Sequence, residues 1–329
     1  MTPNHNPTPC RTVPTWGICV QVKAPLAMIE TFLAWHLELG SSWIAVYFDD
    51  PDDPAADALA RIPGVKAYRC TDAHWGKLKG HRPELKTLRQ VANAQHAYRR
   101  QKTDWLAHID IDEFLLPQRR IGNEAPWRQL IAGLLADVAP EIPVQRLRPY
   151  EALADPQGAA PSHFRAPPRF GPARADIVRR VYGDHAQVLD NGMLSHSVGK
   201  CFSRTGIKGF QPRLHSPRLM GERLLPQDFC KDIALLHYHA TDLDGWLRHV
   251  DYRTRLGAYS GREETRNFFL KASRDDLIAF YAAVQVANPG LVRGLEAAHL
   301  LLTCSPRLQE ARDRVFGGSR VQSPGAATS

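Results

Sequence analysis

Asp104-Trp105-Leu106-Ala107-His108-Ile109-Asp110-Ile111-Asp112-Glu113-Phe114-Leu115 is the stretch on which the fold turns. Its apolar residues Trp105, Leu106, Ile109 and Ile111, β-branched toward the end, predict a buried strand in a sheet covered on both faces. Alternation along a strand then puts Asp110 and Asp112 on one side and Ile109 and Ile111 on the other. Two carboxylates at a strand end repel each other unless a positive group sits between them, and a divalent cation held through oxygen is the usual partner. A solvated acidic turn is the alternative for any isolated D-x-D. The strand context and the adjoining Glu113 favour a metal site here.

Working outward, strand and helix patterns alternate over the first 150 or so residues, as in a mostly parallel α/β sheet. Strands are predicted at 16–22, 43–48, 65–69 and 143–147, and helices at 26–39, 55–61, 83–100 and 127–138. Pro25 stands at the start of the first helix and Gly40 at its end, with Leu26, Ile29, Leu33 and Leu37 spaced as one buried stripe. Residues 150–172 are rich in proline, alanine and glycine and predict an excursion or loop. Short strands are expected around 200–204, Phe210 and Leu214, and an apolar strand over 233–239. From 243 to 314 the pattern is helical, interrupted at Asn288-Pro289-Gly290. The expected layout is a tail at 1–14, an α/β domain at 15–242, a helical extension at 243–316 and a disordered tail at 317–329.

The 329 residues are 43% hydrophobic and 23% charged, the balance of a globular protein. No apolar run reaches the roughly 20 residues of a membrane span. The N-terminus lacks the basic and apolar regions of a signal peptide, so a cytoplasmic setting is expected. The six cysteines, including Cys10, form no C-x-x-C pair and are expected as free thiols. The net charge of +8 suits nucleic acid, an anionic membrane surface or a phosphorylated substrate. No nucleic-acid-binding signature accompanies it, and no nucleic-acid partner is expected.

Three clusters fall at predicted strand ends. Asp49, Asp50, Asp52 and Asp53 follow the second strand, where a ligand of an open α/β sheet binds, although Asp-Pro sequences also favour plain turns. The second cluster is Asp110, Asp112 and Glu113. The third is His237-Tyr238-His239, whose two imidazoles share a face if the strand persists; an imidazole joining two carboxylates suits Mn²⁺ or a similar ion. Among the basic residues, Lys200 stands out because its Gly199-Lys200-Cys201-Phe202 segment is half apolar. P-loop, Rossmann and G-x-S-x-G motifs are absent from the sequence. Metal-assisted handling of a phosphorylated or nucleotide ligand remains.

On these residues the chain resembles the family-2-like glycosyltransferases of the GT-A fold, in the bacterial branch related to the family 92 type. The match lies in Glu30 to Gly40, with its Trp35-His36 pair, in the strand running into Asp49-Asp50, in the D-x-D-E-F segment of Asp110 to Phe114, and in His237-Tyr238. The resemblance covers roughly residues 15 to 250. It implies a Rossmann-like mixed sheet flanked by helices and transfer of a sugar from a nucleotide-sugar donor to a glycan or lipid-linked acceptor. Asp110, Asp112 and His237 would hold Mn²⁺ or Mg²⁺, while Lys23, Asp49, Asp50, Asp110 and Lys200 would bind the nucleotide sugar. An inverting reaction would need a carboxylate base; Glu113 and Asp190 are the catalytic candidates in this chain, with Asp184 and Glu151 as alternatives to Asp190. The implied setting is surface polysaccharide or glycoconjugate synthesis at the inner face of the membrane. Where the family reads Val-Lys-Asn-Glu, this chain has Val22-Lys23-Ala24-Pro25, a departure at the nucleoside end. A nucleotidyltransferase of related fold and a non-catalytic nucleotide-sugar-binding relative are the alternatives.

Overall fold

The computed structural model describes residues 13–118, 127–224 and 228–317. Cys10 and nearly all of the tails expected at 1–14 and 317–329 lie outside the described residues. The chain opens with β1 (Trp16–Val22), α1 (Leu26–Glu38), β2 (Trp43–Phe48), α2 (Ala55–Leu59), β3 (Val65–Arg69), α3 (Asp72–Lys79), α4 (Lys86–Arg100) and β4 (Trp105–His108). Strands β3, β2, β1 and β4 lie side by side in that order and run parallel. Every residue of β1 is buried, because a central strand flanked by helices is covered on both faces. Helix α3 is an addition to the sequence expectation. It buries only Trp75, so it shows no apolar stripe; Thr71 caps it by accepting from the His74 N–H, and Gly80 closes it at φ 80°.

The acidic stretch does not continue as one strand. β4 ends at His108, residues 109–112 turn, and the chain enters β5 (Glu113–Pro117). The Glu113 N–H donates to the Asp110 carbonyl (3.0 Å), and the Glu113 side chain accepts from the Asp110 N–H (2.7 Å). Asp110 and Asp112 therefore stand on a closed turn at the carboxyl end of β4 instead of alternating along a strand, a placement that aspartate's affinity for turns explains.

After α5 (Leu130–Ala136) come β6 (Val144–Ala152), β7 (His163–Arg165), α6 (Arg174–Tyr182) and β8 (Lys200–Arg204). The loop expected over 150–172 thus contributes the end of one strand and all of another. A separate three-stranded sheet follows, made of β9 (Phe210–Gln211), β10 (Arg218–Leu219) and β11 (Glu222–Arg223), and Leu214 lies outside its strands. Next is β12 (Ile233–His237). β8 runs antiparallel to both β4 and β6. β6 changes partner in its middle: residues 144–147 pair with β8, and residues 148–151 pair with β12, whose other edge carries β5. The architecture is a mixed α/β sheet with a parallel core and flanking helices, as expected.

The helices expected at the C-terminus are present as α7 (Leu243–Arg255), α8 (Glu263–Lys271), α9 (Arg274–Val284) and α10 (Pro289–Ala297), followed by β13 (Leu301–Thr303) and α11 (Leu308–Phe316). Asn288 caps α10 and Pro289 opens it, which accounts for the break in the helical pattern. Trp246, Phe269 and Phe280 form a second apolar core with Leu153 and Val178. β13 pairs with β7. Helix α11 lies on α1, with Arg312 2.7 Å from Glu30 and Arg314 2.8 Å from Glu38.

The buried face of α1 is Ile29, Phe32, Leu33 and His36, whereas Leu26 is exposed and Leu37 half-buried. The stripe is rotated from the expected one because the helix aims its aromatic residues at β5. Trp35 Nε1 donates to the Leu115 carbonyl (2.8 Å), and the Leu115 N–H donates to His36 Nε2 (3.3 Å). Burial holds the His36 ring neutral, its pKa down at about 3. Pro25 takes the N-cap position and not the first helical one. Gly40 sits at φ 92°, where a Cβ would lie 2.0 Å from the Arg128 carbonyl oxygen. The Trp-His-x-x-x-Gly motif thus anchors the strand that carries Glu113. Among the described residues no helix is long and apolar enough to cross a membrane.

Candidate active site

Strand register assembles the candidate site. Pairing of β5, β12 and β6 sets Glu113 beside His237 and His237 beside Glu151, and pairing of β6 with β7 sets Glu151 beside Arg165. All four are buried. Glu151 accepts from Arg165, from the N–H groups of Leu194 (3.0 Å) and Ser195 (2.7 Å), and from the Ser195 hydroxyl. Burial alone would raise its pKa, but the Arg165 guanidinium reverses this and holds the carboxyl far below the usual range. A carboxylate so engaged is a poor proton acceptor, which removes Glu151 from the base candidates.

Asp110 and Asp112 face different partners. Asp110 accepts from Lys200 Nζ at 2.7 Å and from Gln90 Nε2 at 2.6 Å. Lys200 is buried and also lies 3.6 Å from Glu113. Burial opposes ionisation of Asp110, yet the ammonium overrides it and keeps the carboxyl well below its ordinary pKa. Asp112 lies 3.5 Å from His237 Nε2, and Ser195 Oγ is 3.2 Å from the other ring nitrogen. Burial disfavours the imidazolium, but Asp112 outweighs it and lifts His237 to about 9. His239 comes close to the same carboxylate; burial, then Arg253 and His237, hold it well below its usual value. Tyr238 takes the opposite side, against Phe114 and Phe164.

Two sets of side chains can hold a cation: Asp112, His237 and His239, and Glu113, His196 and His237. The second contains buried atoms without hydrogen-bond partners, Glu113 Oε1 and both nitrogens of His196, with 3.6 Å between the carboxylate and Nε2. Orphaned buried polar atoms are costly, and a cation among them would satisfy carboxylate and imidazole together. The mixed oxygen and nitrogen donors fit Mn²⁺ or a similar ion. Asp110, expected among the metal ligands, is in neither set and points to Lys200 instead.

The nucleoside-end candidates lie at neighbouring strand ends. Lys23 is exposed just beyond β1, and Asp50 is exposed with its side chain accepting from the Asp52 N–H at 3.1 Å. Asp49 is buried and binds Arg89 through two bonds of 2.8 and 2.9 Å, with Arg82 3.1 Å away. Asp190 is in neither cation set and accepts from the Ser197 N–H (2.6 Å), next to His196, and from Asn191 Nδ2 (2.9 Å). It lines a cavity of about 710 Å³ with Asp184, Asn191 and Arg262. Arg262 reaches back to the carbonyl of Ser195 (3.3 Å), joining the cavity wall to the segment that contacts His237. Sequence reasoning missed Gln90, Arg89 and Arg165, because each acquires its partner only through tertiary contact.

No protein-family model matches the sequence, and no curated protein matches it. Similar solved structures include the mannosyltransferase PcManGT from Pyrobaculum calidifontis in complex with GDP-Man and Mn2+, at 12% identity over 94% of this chain and 80% of that one, with a TM-score of 0.33. An active-site mutant of LgtC is similar at 10% identity, over 94% of this chain and 97% of that one, with a TM-score of 0.31. TarS from S. aureus is similar at 11% identity, over 94% and 92% of the two chains, with a TM-score of 0.31. At such low superposability, function has to be argued from the site itself.

Proposed function

We propose that the chain is a metal-dependent glycosyltransferase that moves a sugar from a nucleotide-sugar donor to a glycan or lipid-linked acceptor. The observation that carries this reading is the Asp110-Ile111-Asp112 turn at the carboxyl end of parallel strand β4, with the half-buried Asp112 3.5 Å from buried His237 in a carboxylate–imidazole cluster. Ligands of open α/β sheets bind beyond such strand ends. Asp112 and His237 would hold Mn²⁺ or Mg²⁺, with His239 or the Glu113–His196 pair as further ligands. Such an ion would supply positive charge against the departing diphosphate. Lys200 neutralises Asp110 beside the turn. Asp49, Asp50 and Lys23 mark the nucleoside end.

The cavity bounded by Asp190 and Arg262 is the acceptor side. Asp190 takes the proton of the acceptor hydroxyl, as an inverting transfer requires. The basic balance suits a lipid-linked acceptor at the inner face of a membrane, in polysaccharide or glycoconjugate synthesis.

A thermal-shift screen of nucleotide sugars with Mn²⁺ and Mg²⁺ tests the reading, since ligand at about 100 times its Kd stabilises by about 2.7 kcal/mol. We expect a metal-dependent shift that disappears in Asp112→Asn. Retention of the shift in that variant removes Asp112 from the site, and absence of a shift with every donor removes the transferase reading. Release of pyrophosphate from a nucleoside triphosphate identifies a nucleotidyltransferase instead, and binding without release of nucleoside diphosphate a non-catalytic relative.

A further inference from the structure

A second polar cleft opens between α3 and α4, with a volume of about 450 Å³, lined by His74, Lys77, Leu78, His96, Arg99 and Arg100. It is separate from the carboxylate turn: Arg99 lies nine residues along α4 from Gln90, the contact of Asp110, or about 13 Å at helical rise. Five of the six lining residues carry nitrogen, and no carboxylate is among them. Lys77, Arg99 and Arg100 are exposed and make no ion pair among the described residues. Each lies in the last turn of its helix, where a cation is favoured by the helix dipole. That explains each charge singly but not their convergence over two imidazoles.

Behind the lining histidines lies an aromatic cluster. Tyr47 stacks on Tyr68 with centroids 4.8 Å apart, and His96 stands edge-on to both rings. His96 Nδ1 lies 2.7 Å from the Tyr47 hydroxyl, and His74 Nε2 donates to Asn93 Oδ1 at 2.8 Å. With Tyr47 as the donor, His96 carries its proton on Nε2, the nitrogen that Tyr47 leaves open. The field is uncompensated: burial first, then Arg100, His74 and Arg99, push His96 down to about 4. A multiply charged anion in the cleft would relieve this repulsion.

We propose that the α3–α4 cleft binds a phosphoryl group, held by Lys77, Arg99 and Arg100 beside the Nε2–H of His96, with the His74 ring in the same wall. Two guanidinium forks and an ammonium match a dianion with several acceptor oxygens better than a single carboxylate. The phosphoryl group belongs either to a soluble phosphate or to a phospholipid head group.

The test follows the ring resonances of His74 and His96 while inorganic phosphate or pyrophosphate is titrated into full-length protein with chelator present. Saturable shifts are expected in the wild type and equally in Asp112→Asn, which disables the candidate metal site and so keeps the two readings distinct. In Arg99→Ala/Arg100→Ala, whose exposed positions leave the core intact, affinity is expected to fall at least tenfold. A parallel arm measures cosedimentation with phosphatidylcholine vesicles with and without phosphatidylglycerol. Binding that needs phosphatidylglycerol and weakens roughly thirtyfold in the double variant assigns a lipid head group, the effect of two basic residues at an anionic surface. Saturable phosphate shifts without cosedimentation assign a soluble ligand. Absence of both, or binding untouched by the double variant, overturns the proposal.

Discussion

Lys200→Met asks whether the ammonium beside the acidic turn is what makes that turn tolerable. Lys200 is 1% exposed, with Nζ 2.7 Å from Asp110 and 3.6 Å from Glu113. Removing one partner of a fully buried ion pair costs about 3–5 kcal/mol, because the remaining charge is left without compensation. The Asp110 side chain is 27% exposed, so water solvates part of it and the low end, about 3 kcal/mol, is expected at pH 7. The sign with pH follows from the folded pKa. In the wild type Lys200 holds Asp110 below its unfolded value, so the stabilisation is present above about pH 4 and is lost as pH falls through the folded pKa. Without Lys200, burial dominates and raises the carboxyl, so the deficit of the variant shrinks as pH falls and Asp110 takes up a proton. Urea unfolding at neutral and mildly acidic pH measures both effects, and the melting temperature at neutral pH is expected to drop by roughly 4–5 °C. Lys200→Met/Asp110→Asn, which removes both charges, is expected to recover most of the loss. A single variant within about 1 kcal/mol of wild type at pH 7, or a double variant no better than the single, would refute the reasoning.

Three further outcomes follow from the same region. His237, lifted to about 9 by Asp112, must lose a proton to ligate a metal, so Mn²⁺ binding at pH 7 should release close to one proton and tighten about tenfold per pH unit up to that value. Calorimetry in buffers of different protonation enthalpy counts the proton, and a count near zero excludes His237 as a ligand. Arg165→Met leaves Glu151 buried without its cation and should cost about 3–5 kcal/mol at pH 7. Because the folded pKa of Glu151 is depressed, that stabilisation exists above its unfolded value of about 4.3 and is lost as pH falls, so chemical unfolding should show the variant's deficit narrowing in acid. Gly199→Ala at φ 73° would bring a Cβ to 2.0 Å from the Leu147 carbonyl oxygen; a loss of about 2 kcal/mol or more in unfolding free energy is expected, and a variant as stable as wild type contradicts the packing.

Local patterning made much of the fold legible. β1 and β2 lie where continuous apolar runs predicted them, because central parallel strands are covered on both sides and need no alternation, and β3, at the sheet edge, also lies where it was expected. Helix α3 was not legible, since one buried tryptophan leaves no periodic signal. The acidic stretch misled for a related reason: apolar residues persist through Ile109 and Ile111, while the direction of the backbone changes after His108. Periodicity reports side-chain polarity, and an apolar-spaced turn looks like the continuation of a strand.

The sequence by itself determined that carboxylates follow β4, that histidines stand at and beyond the end of β12, and that Trp35, His36 and Gly40 close the first helix, because each is a property of a short segment. Only the tertiary structure decided which charges meet. Register across β5, β12, β6 and β7 lined up Glu113, His237, Glu151 and Arg165, and the antiparallel pairing of β8 with β4 brought Lys200 to Asp110 as a cation that local sequence does not reveal. Pairing between residues far apart in the chain depends on how whole strands seat against one another, and burial then amplifies each resulting contact by removing the water that would screen it.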